Sequence, residues 1–326
     1  MKNEALRKAS LWYRLCALVA ACFVAVAGTS WAYTTLYSRT QRLPFVLRIA
    51  DVQTPYPVAS VFVLPNQILK FGAVYARSNG PWILRTYSGK TYRMNTSHWT
   101  WQVPDKPGIY PMRICDLKSG RWATINIFAM VPYRQMEHGY LNGYRIGEYP
   151  KARGSSPIFK EPAGFVEVTA ENEGTLLSPH FRLGQFVCRQ RGGYPKYVVL
   201  REELIVKLEL IVDRLNASGI PCNELCIMSG YRTPYHNRAI GSQAYSLHVM
   251  GGAADFCLVD NLAALASHSR KSLYRREQVL RQIIEDIDGK PYYHQLAGGL
   301  GVYRTSRAHG PFVHVDVRGD RIRWTR

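Results

Sequence analysis

The densest chemistry in the chain lies in Ser246-Leu-His-Val-Met-Gly-Gly-Ala-Ala-Asp255, where a histidine and a carboxylate stand a short distance apart. A further candidate ligand follows near the C-terminus, in Phe312-Val-His-Val-Asp316. His248, Asp255 and His314 would together supply two imidazoles and one carboxylate. Such a donor set suits a zinc ion that keeps an open position. A zinc ion held that way can activate water near neutral pH. His314 and Asp316 are two residues apart on an expected strand, so their side chains share a face and Asp316 can orient the ring. The competing reading of Asp316 is a surface salt bridge with Arg318 or Arg323.

These side chains need elements to carry them. Gly251 and Gly252 permit a sharp turn, and the alternation from Ala253 to Phe256 reads as a strand with period two. His248 then sits on a loop before that strand, and Asp255 points from one strand face. Arg201 to Ala217 reads as an amphipathic helix through Leu204, Leu208, Ile211 and Leu215, with Glu202 and Glu203 in its first turn and Gly219 at its end. Leu225-Cys-Ile-Met228 is a buried strand delivering Ser229-Gly-Tyr-Arg232, and Ser272 to Ile287 is a second amphipathic helix. Gly301-Val-Tyr303 and Phe312 to Val317 close the set as strands. Helices and strands do not alternate regularly, which favours α+β over a doubly wound sheet.

The pattern Ser246, His248, Gly251, Ala253, Asp255 resembles the S-x-H-x-x-G-x-A-x-D motif of the zinc D-alanyl-D-alanine peptidases of the hedgehog/DD-peptidase fold. Ser229-Gly-Tyr-Arg-Thr-Pro-Tyr-His-Asn237 is similar to the SGYR segment of that family, and Gly299-Leu-Gly-Val-Tyr303 and Phe312-Val-His-Val-Asp-Val-Arg-Gly319 to its closing strands. The resemblance implies Zn2+ held by His248, Asp255 and His314, and hydrolysis of amide bonds in peptidoglycan stem peptides or cross-links. It implies that Arg232 holds a substrate carbonyl or terminal carboxylate, with a structural Arg paired to an acid as the competing reading. Ser246 would support the loop and the His248 ring by hydrogen bonding. Several relatives place an acid three residues before the last zinc histidine, and Pro311 stands there in this chain. A proline cannot accept a proton, so the role moves or is lost; His309 in the same loop is the first candidate, with a plain loop residue as its competing reading, and Asp316 is the second. The rival to the hydrolase is a non-catalytic, zinc-bearing wall-binding or structural module.

Before this region, six short segments read as strands: Phe45–Ile49, Val61–Leu64, Trp82–Leu84, Trp99–Trp101, Met112–Ile114 and Thr124–Phe128. Turn residues separate them, as in a β-sandwich. No catalytic constellation appears there, and His98 reads as structural. The expected organisation is a leader over 1–33, an all-β sandwich-like domain over 34–139, a hairpin and linker over 140–179, and a zinc peptidase domain over 180–326. His180, beside a proline, reads as structural, and His236 and His294 as peripheral.

Lys2, Arg7, Lys8 and Arg14 precede an apolar run from Leu15 to Ala27 and then small residues, the layout of a secretory signal. A signal-anchor and a lipid-attachment site at Cys22 remain open; all three readings export the chain to the periplasm or cell envelope. The 47% hydrophobic and 12% aromatic composition is that of a globular protein. The formal net charge of +19 favours anionic partners, here peptidoglycan and an anionic membrane or wall polymer. No nucleic-acid motif accompanies it, and oligomeric state is not encoded legibly. Five cysteines follow the leader; Cys222 and Cys226 are spaced to bridge in an oxidising compartment, and Cys257 reads as a small core residue.

Overall fold

The computed structural model describes residues 42–74, 80–151, 157–258, 270–306 and 310–326. The expected leader, His309 and part of the expected linker lie outside these residues. Among the described residues no helix is long and apolar enough to cross a membrane.

Nine strands come first: β1 (Val46–Ile49), β2 (Val52–Thr54), β3 (Val58–Val63), β4 (Ile68–Val74), β5 (Trp82–Arg85), β6 (Thr91–Met94), β7 (His98–Gln102), β8 (Gly108–Asp116) and β9 (Arg121–Ala129). They form two sheets, ordered β2-β1-β4-β7 and β3-β9-β8-β5-β6. Alternate residues face inward, so Leu47, Phe71, Trp82, Trp99, Ile114, Ile125 and Ile127 fill one apolar core. Each of the six expected strands overlaps an observed one, four of them lying wholly within it, while Phe45 and Leu64 fall one residue outside β1 and β3. The additional strands β2, β4 and β6 lack a strong signal: Ile68–Val74 carries Lys70 and Gly72, and Thr91–Met94 has no buried residue.

The segment 140–179 is more ordered than its composition suggests. Strands β11 (Tyr140–Leu141) and β12 (Tyr144–Arg145) follow β10 (Val131–Pro132) and form the expected hairpin. Asn142 and Gly143 both take positive φ in its two-residue turn, 46° and 78°, as a type I′ turn requires. Strand β13 (Gly164–Val168) then pairs with β10 and with β14 (Lys196–Val198). Phe165, Val166 and Val168 are buried there, so this part of the segment belongs to the second core.

The C-terminal region builds on a five-stranded sheet, ordered β15 (Leu225–Ser229), β16 (Ala253–Leu258), β18 (Phe312–Asp316), β17 (Gly299–Tyr303) and β19 (Ile322–Thr325). Only the β17–β19 pair is parallel. Helix α1 (Glu202–Ala217) is 16 residues long, α2 (Pro234–Ala239) is short, and α3 (Arg270–Gly289) packs on α1. Leu204, Leu208, Ile211 and Leu215 of α1 are fully buried in the same core as Ala254, Phe256, Leu300 and Val315 of the sheet. The architecture is α+β behind an all-β region. Residues 42–326 form one compact unit. Within it the Glu202 carboxylate accepts from the Phe62 amide at 2.8 Å, and Asn126 Nδ2 donates to the Leu176 carbonyl at 2.7 Å, tying the sandwich to the start of α1 and its approach.

Candidate metal centre

One rung crosses the whole C-terminal sheet. Ser229 stands opposite Asp255, Asp255 opposite His314, His314 opposite Gly301, and Gly301 opposite Trp324. Opposed residues in a sheet share a face, so the register alone brings Asp255 and His314 together. His248 reaches them from the turn before β16. There Gly251 takes φ 69°, and a Cβ at that position would lie 2.5 Å from the Val199 carbonyl oxygen, which leaves glycine as the residue that fits.

His248 Nε2, Asp255 Oδ1 and His314 Nδ1 form a triangle with edges of 3.2, 2.8 and 3.3 Å. These are the atoms that can hold a metal ion. Four-coordinate zinc with bonds of about 2.0–2.1 Å keeps its ligand atoms roughly 3.3–3.4 Å apart. The observed edges fit that ion with small adjustments.

The outer partners set the ring tautomers. His248 Nδ1 donates to the Gly230 carbonyl at 2.7 Å, which leaves the Nε2 lone pair facing the cluster. His314 Nε2 donates to Asp316 Oδ2 at 3.2 Å, which leaves Nδ1 free to ligate. Each ring thus has its other nitrogen fixed by an acceptor, as metal-binding imidazoles usually do. Burial pushes the His248 pKa down and favours its neutral form. Burial opposes a charge on His314 as well, but hydrogen bonds to Asp255 and Asp316 outweigh it and raise the pKa. Burial likewise opposes the Asp255 charge, yet the two imidazoles hold that carboxyl well below the usual carboxylate range.

Three expected roles change. Asp316 does not face the site as a proton acceptor: it is fully buried, and its oxygens accept from His314, the Gly299 amide at 2.8 Å and Arg318 Nε at 2.9 and 3.0 Å. Burial resists its charge, but His314 and Arg318 hold the carboxyl well below its ordinary value. It orients His314, and its pairing with Arg318 is buried rather than a surface bridge. Arg232 is not an unengaged fork: Nη2 donates to Asp255 Oδ2 and Nε to Ser229 Oγ at 2.8 Å, so it orients a ligand. Ser246 contributes through its backbone, its carbonyl accepting from the Val249 amide at 3.0 Å, while the His248 ring is held by Gly230.

The surroundings contain residues the sequence did not single out. Trp324 lies 5.2 Å from the His314 ring, centroid to centroid, and its Nε1 donates to the Tyr303 hydroxyl. Gly301 leaves room for it, since a Cβ there would stand 2.4 Å from the indole. Lys207, fully buried on α1, donates to the Asp316 carbonyl at 2.9 Å and to Asp288 Oδ1 at 2.7 Å. In the sequence it stands between Val206 and Leu208 with no acid beside it, so nothing local signals its partners. Of the remaining histidines, His180 pairs with buried Glu209, His294 Nδ1 bonds the Pro291 carbonyl, and His98 lies exposed beside Ser97. His236 is half-buried, and burial followed by the nearby Arg232 charge lowers its pKa.

Residues 179–282 match the sequence profile of peptidase M15. The C-terminal region is a peptidase M15 domain. The matched stretch includes His248 and Asp255 and stops before His314, which the sheet register supplies. Members of peptidase M15 are zinc-dependent metallopeptidases, and the buried His248, Asp255 and His314 are a group that could hold the ion in this domain. No curated protein matches the chain. Among solved structures, the fibronectin(III)-like modules of Clostridium thermocellum CbhA align over 26% of this chain and 94% of theirs, at 16% identity and a TM-score of 0.18, which carries no argument about the fold.

Proposed function

We propose that this peptidase M15 domain hydrolyses amide bonds in peptidoglycan stem peptides or their cross-links, after export to the cell envelope. The observation that carries the reading is the convergence of His248, Asp255 and His314 within 3.3 Å of one another, in a sheet whose motifs resemble those of D-alanyl-D-alanine peptidases. Zinc in that triangle supplies Lewis acidity and lowers the pKa of water. The protein's own groups do the rest. Gly230 and Asp316 hold the two imidazoles in the ligating tautomers. Arg232 fixes Asp255 and keeps Nη1, which has no partner among the described residues, for a substrate carbonyl or carboxylate. Trp324 packs beside the His314 ring and is itself held by the Tyr303 hydroxyl, which helps fix that ring in place. Proton transfer falls to His309, the sequence candidate left once Asp316 is committed to His314 and Arg318. The net charge of +19 suits an anionic wall polymer or membrane surface, and the basic, apolar and small-residue succession at the N-terminus suits export.

The test is mass spectrometry of peptidoglycan fragments before and after incubation with the zinc-loaded full chain. Loss of a terminal D-alanine identifies a carboxypeptidase, and splitting of cross-linked fragments an endopeptidase. A chelator and His248→Ala should each abolish the products. Products that persist in either case would overturn the proposal. Retention on wall sacculi with bound zinc and no product would select the non-catalytic module instead.

A further inference from the structure

Strands β15 and β16 each carry one cysteine, and their register sets Cys226 directly opposite Cys257. Opposed residues in an antiparallel pair have Cα atoms about 4.5–5.5 Å apart, within the span of about 4.4–6.8 Å that disulfides bridge. The Cys226 thiol is close enough to that of Cys257 to interact with it, and both are free thiols in this structure. Both are half-buried, whereas Cys115, Cys188 and Cys222 are buried. The neighbours Leu225, Ile227, Phe256 and Leu258 point the other way, into the core. Cys257 therefore lies on the same face of β16 as Asp255, and it is not the core residue its apolar setting suggests. The Cys222–Cys226 bridge that the spacing suggests is not the one the fold prepares, because the Cys222 thiol lies on the Glu224 carbonyl at 3.6 Å.

We infer that Cys226 and Cys257 form a cross-strand disulfide, a modification site that clamps β15 to β16 beside the metal centre. The clamp sits at the edge of the sheet. β15 is the edge strand of its sheet, and its pairing to β16 shifts register between Ile227 and Ser229. The end of that strand supplies Ser229 and, just beyond it, the Gly230 carbonyl and Arg232, which hold His248 and Asp255. The oxidant is a small or protein disulfide, with oxidised glutathione as the probe. One cysteine thiolate attacks it, forming a mixed disulfide and releasing one glutathione thiol. The second cysteine thiolate attacks the mixed disulfide at the protein sulfur, closing the protein bond and releasing the second glutathione. Two electrons pass from the two protein sulfurs to glutathione, and the two thiol protons end on the released glutathiones. The partial exposure of both cysteines lets the probe reach them, and rates depend on such access.

The experiment uses the full chain equilibrated with oxidised glutathione, alkylated with iodoacetamide in denaturant, digested and mapped by mass spectrometry. The expected product joins the Cys226 and Cys257 peptides at two hydrogens below their summed mass, with Cys115, Cys188 and Cys222 alkylated. Dithiothreitol should release the two. The clamp should also raise Tm over the reduced chain by on the order of 5–10 °C, from closing a loop of some thirty residues. A Cys222→Ser chain should still give the linked peptide, and Cys257→Ser should retain glutathione on Cys226. Separate alkylation of Cys226 and Cys257, a Cys222–Cys226 linkage, or a linked form with no gain in Tm would overturn the inference.

Discussion

Asp316→Asn tests whether His314 is prepared for metal through its far nitrogen. The Asp316 carboxylate accepts from four groups: His314 Nε2 at 3.2 Å, the Gly299 amide at 2.8 Å, the Arg318 amide at 3.2 Å and the Arg318 side chain at 2.9–3.0 Å. All are donors. An asparagine keeps the shape but replaces one acceptor oxygen with a donating NH2. If the amide oxygen stays on Gly299 and Arg318, the NH2 faces Nε2. The imidazole proton then moves to Nδ1, the atom that must ligate. If the amide turns over, the NH2 meets Gly299 and the guanidinium instead. Loss of an acceptor behind a metal-binding histidine typically weakens metal affinity about 10–100-fold, or about 1.4–2.7 kcal/mol. Zinc affinity measured by competition with a chromophoric chelator should fall by that factor, with apo-protein melting used to verify that the variant is folded. Arg318→Met leaves the His314–Asp316 bond and should lose less. A folded Asn variant within twofold of the wild type, or an equal loss in Arg318→Met, would refute positioning through His314.

Lys207→Met strips a buried cation from Asp288 and the Asp316 carbonyl, and should cost about 3–5 kcal/mol in urea unfolding; a cost under about 1 kcal/mol would show that the network is not coupled to folding. Gly301→Ala drives a methyl into the Trp324 ring, 2.4 Å from its nearest atoms, so it should cost about 1–3 kcal/mol and change the near-UV circular dichroism of the indole. Glu285 has its carboxyl pulled down to about 2, first by the hydrogen bond from Arg323 and then by Arg321, against an opposing effect of burial. Because the folded value is the lower one, its contribution is present above the unfolded value of about 4.3 and fades as pH falls toward 2. The Tm gap between wild type and Glu285→Gln should be full at pH 6 and shrink through that window; a gap independent of pH would contradict the assignment.

The helices at 202–217 and 270–289 were legible because their apolar residues recur at a helical period that one buried face requires. The strands carrying Asp255 and His314 were legible because alternation and β-branched runs mark them. The strands Ile68–Val74 and Gly164–Val168 escaped because lysine, glutamate and glycine interrupt the pattern, and ladder partners far along the chain override that local signal. Lys207 escaped for a related reason: nothing in α1 reveals that Asp288 and a carbonyl of β18 wait to receive its charge.

The sequence by itself determined which side chains can bind metal and that a turn precedes the strand of Asp255, since residue type and glycine placement are local properties. Tertiary structure alone decided what those side chains touch. The register of five strands put Ser229, Asp255, His314, Gly301 and Trp324 on one rung. Pairing partners at that range turned Asp316 and Arg232 into supports for ligands and set Cys226 against Cys257. Hydrogen bonds and ladder pairs depend on distances of a few ångströms between residues far apart in the chain, and those distances exist only once the sheet has closed.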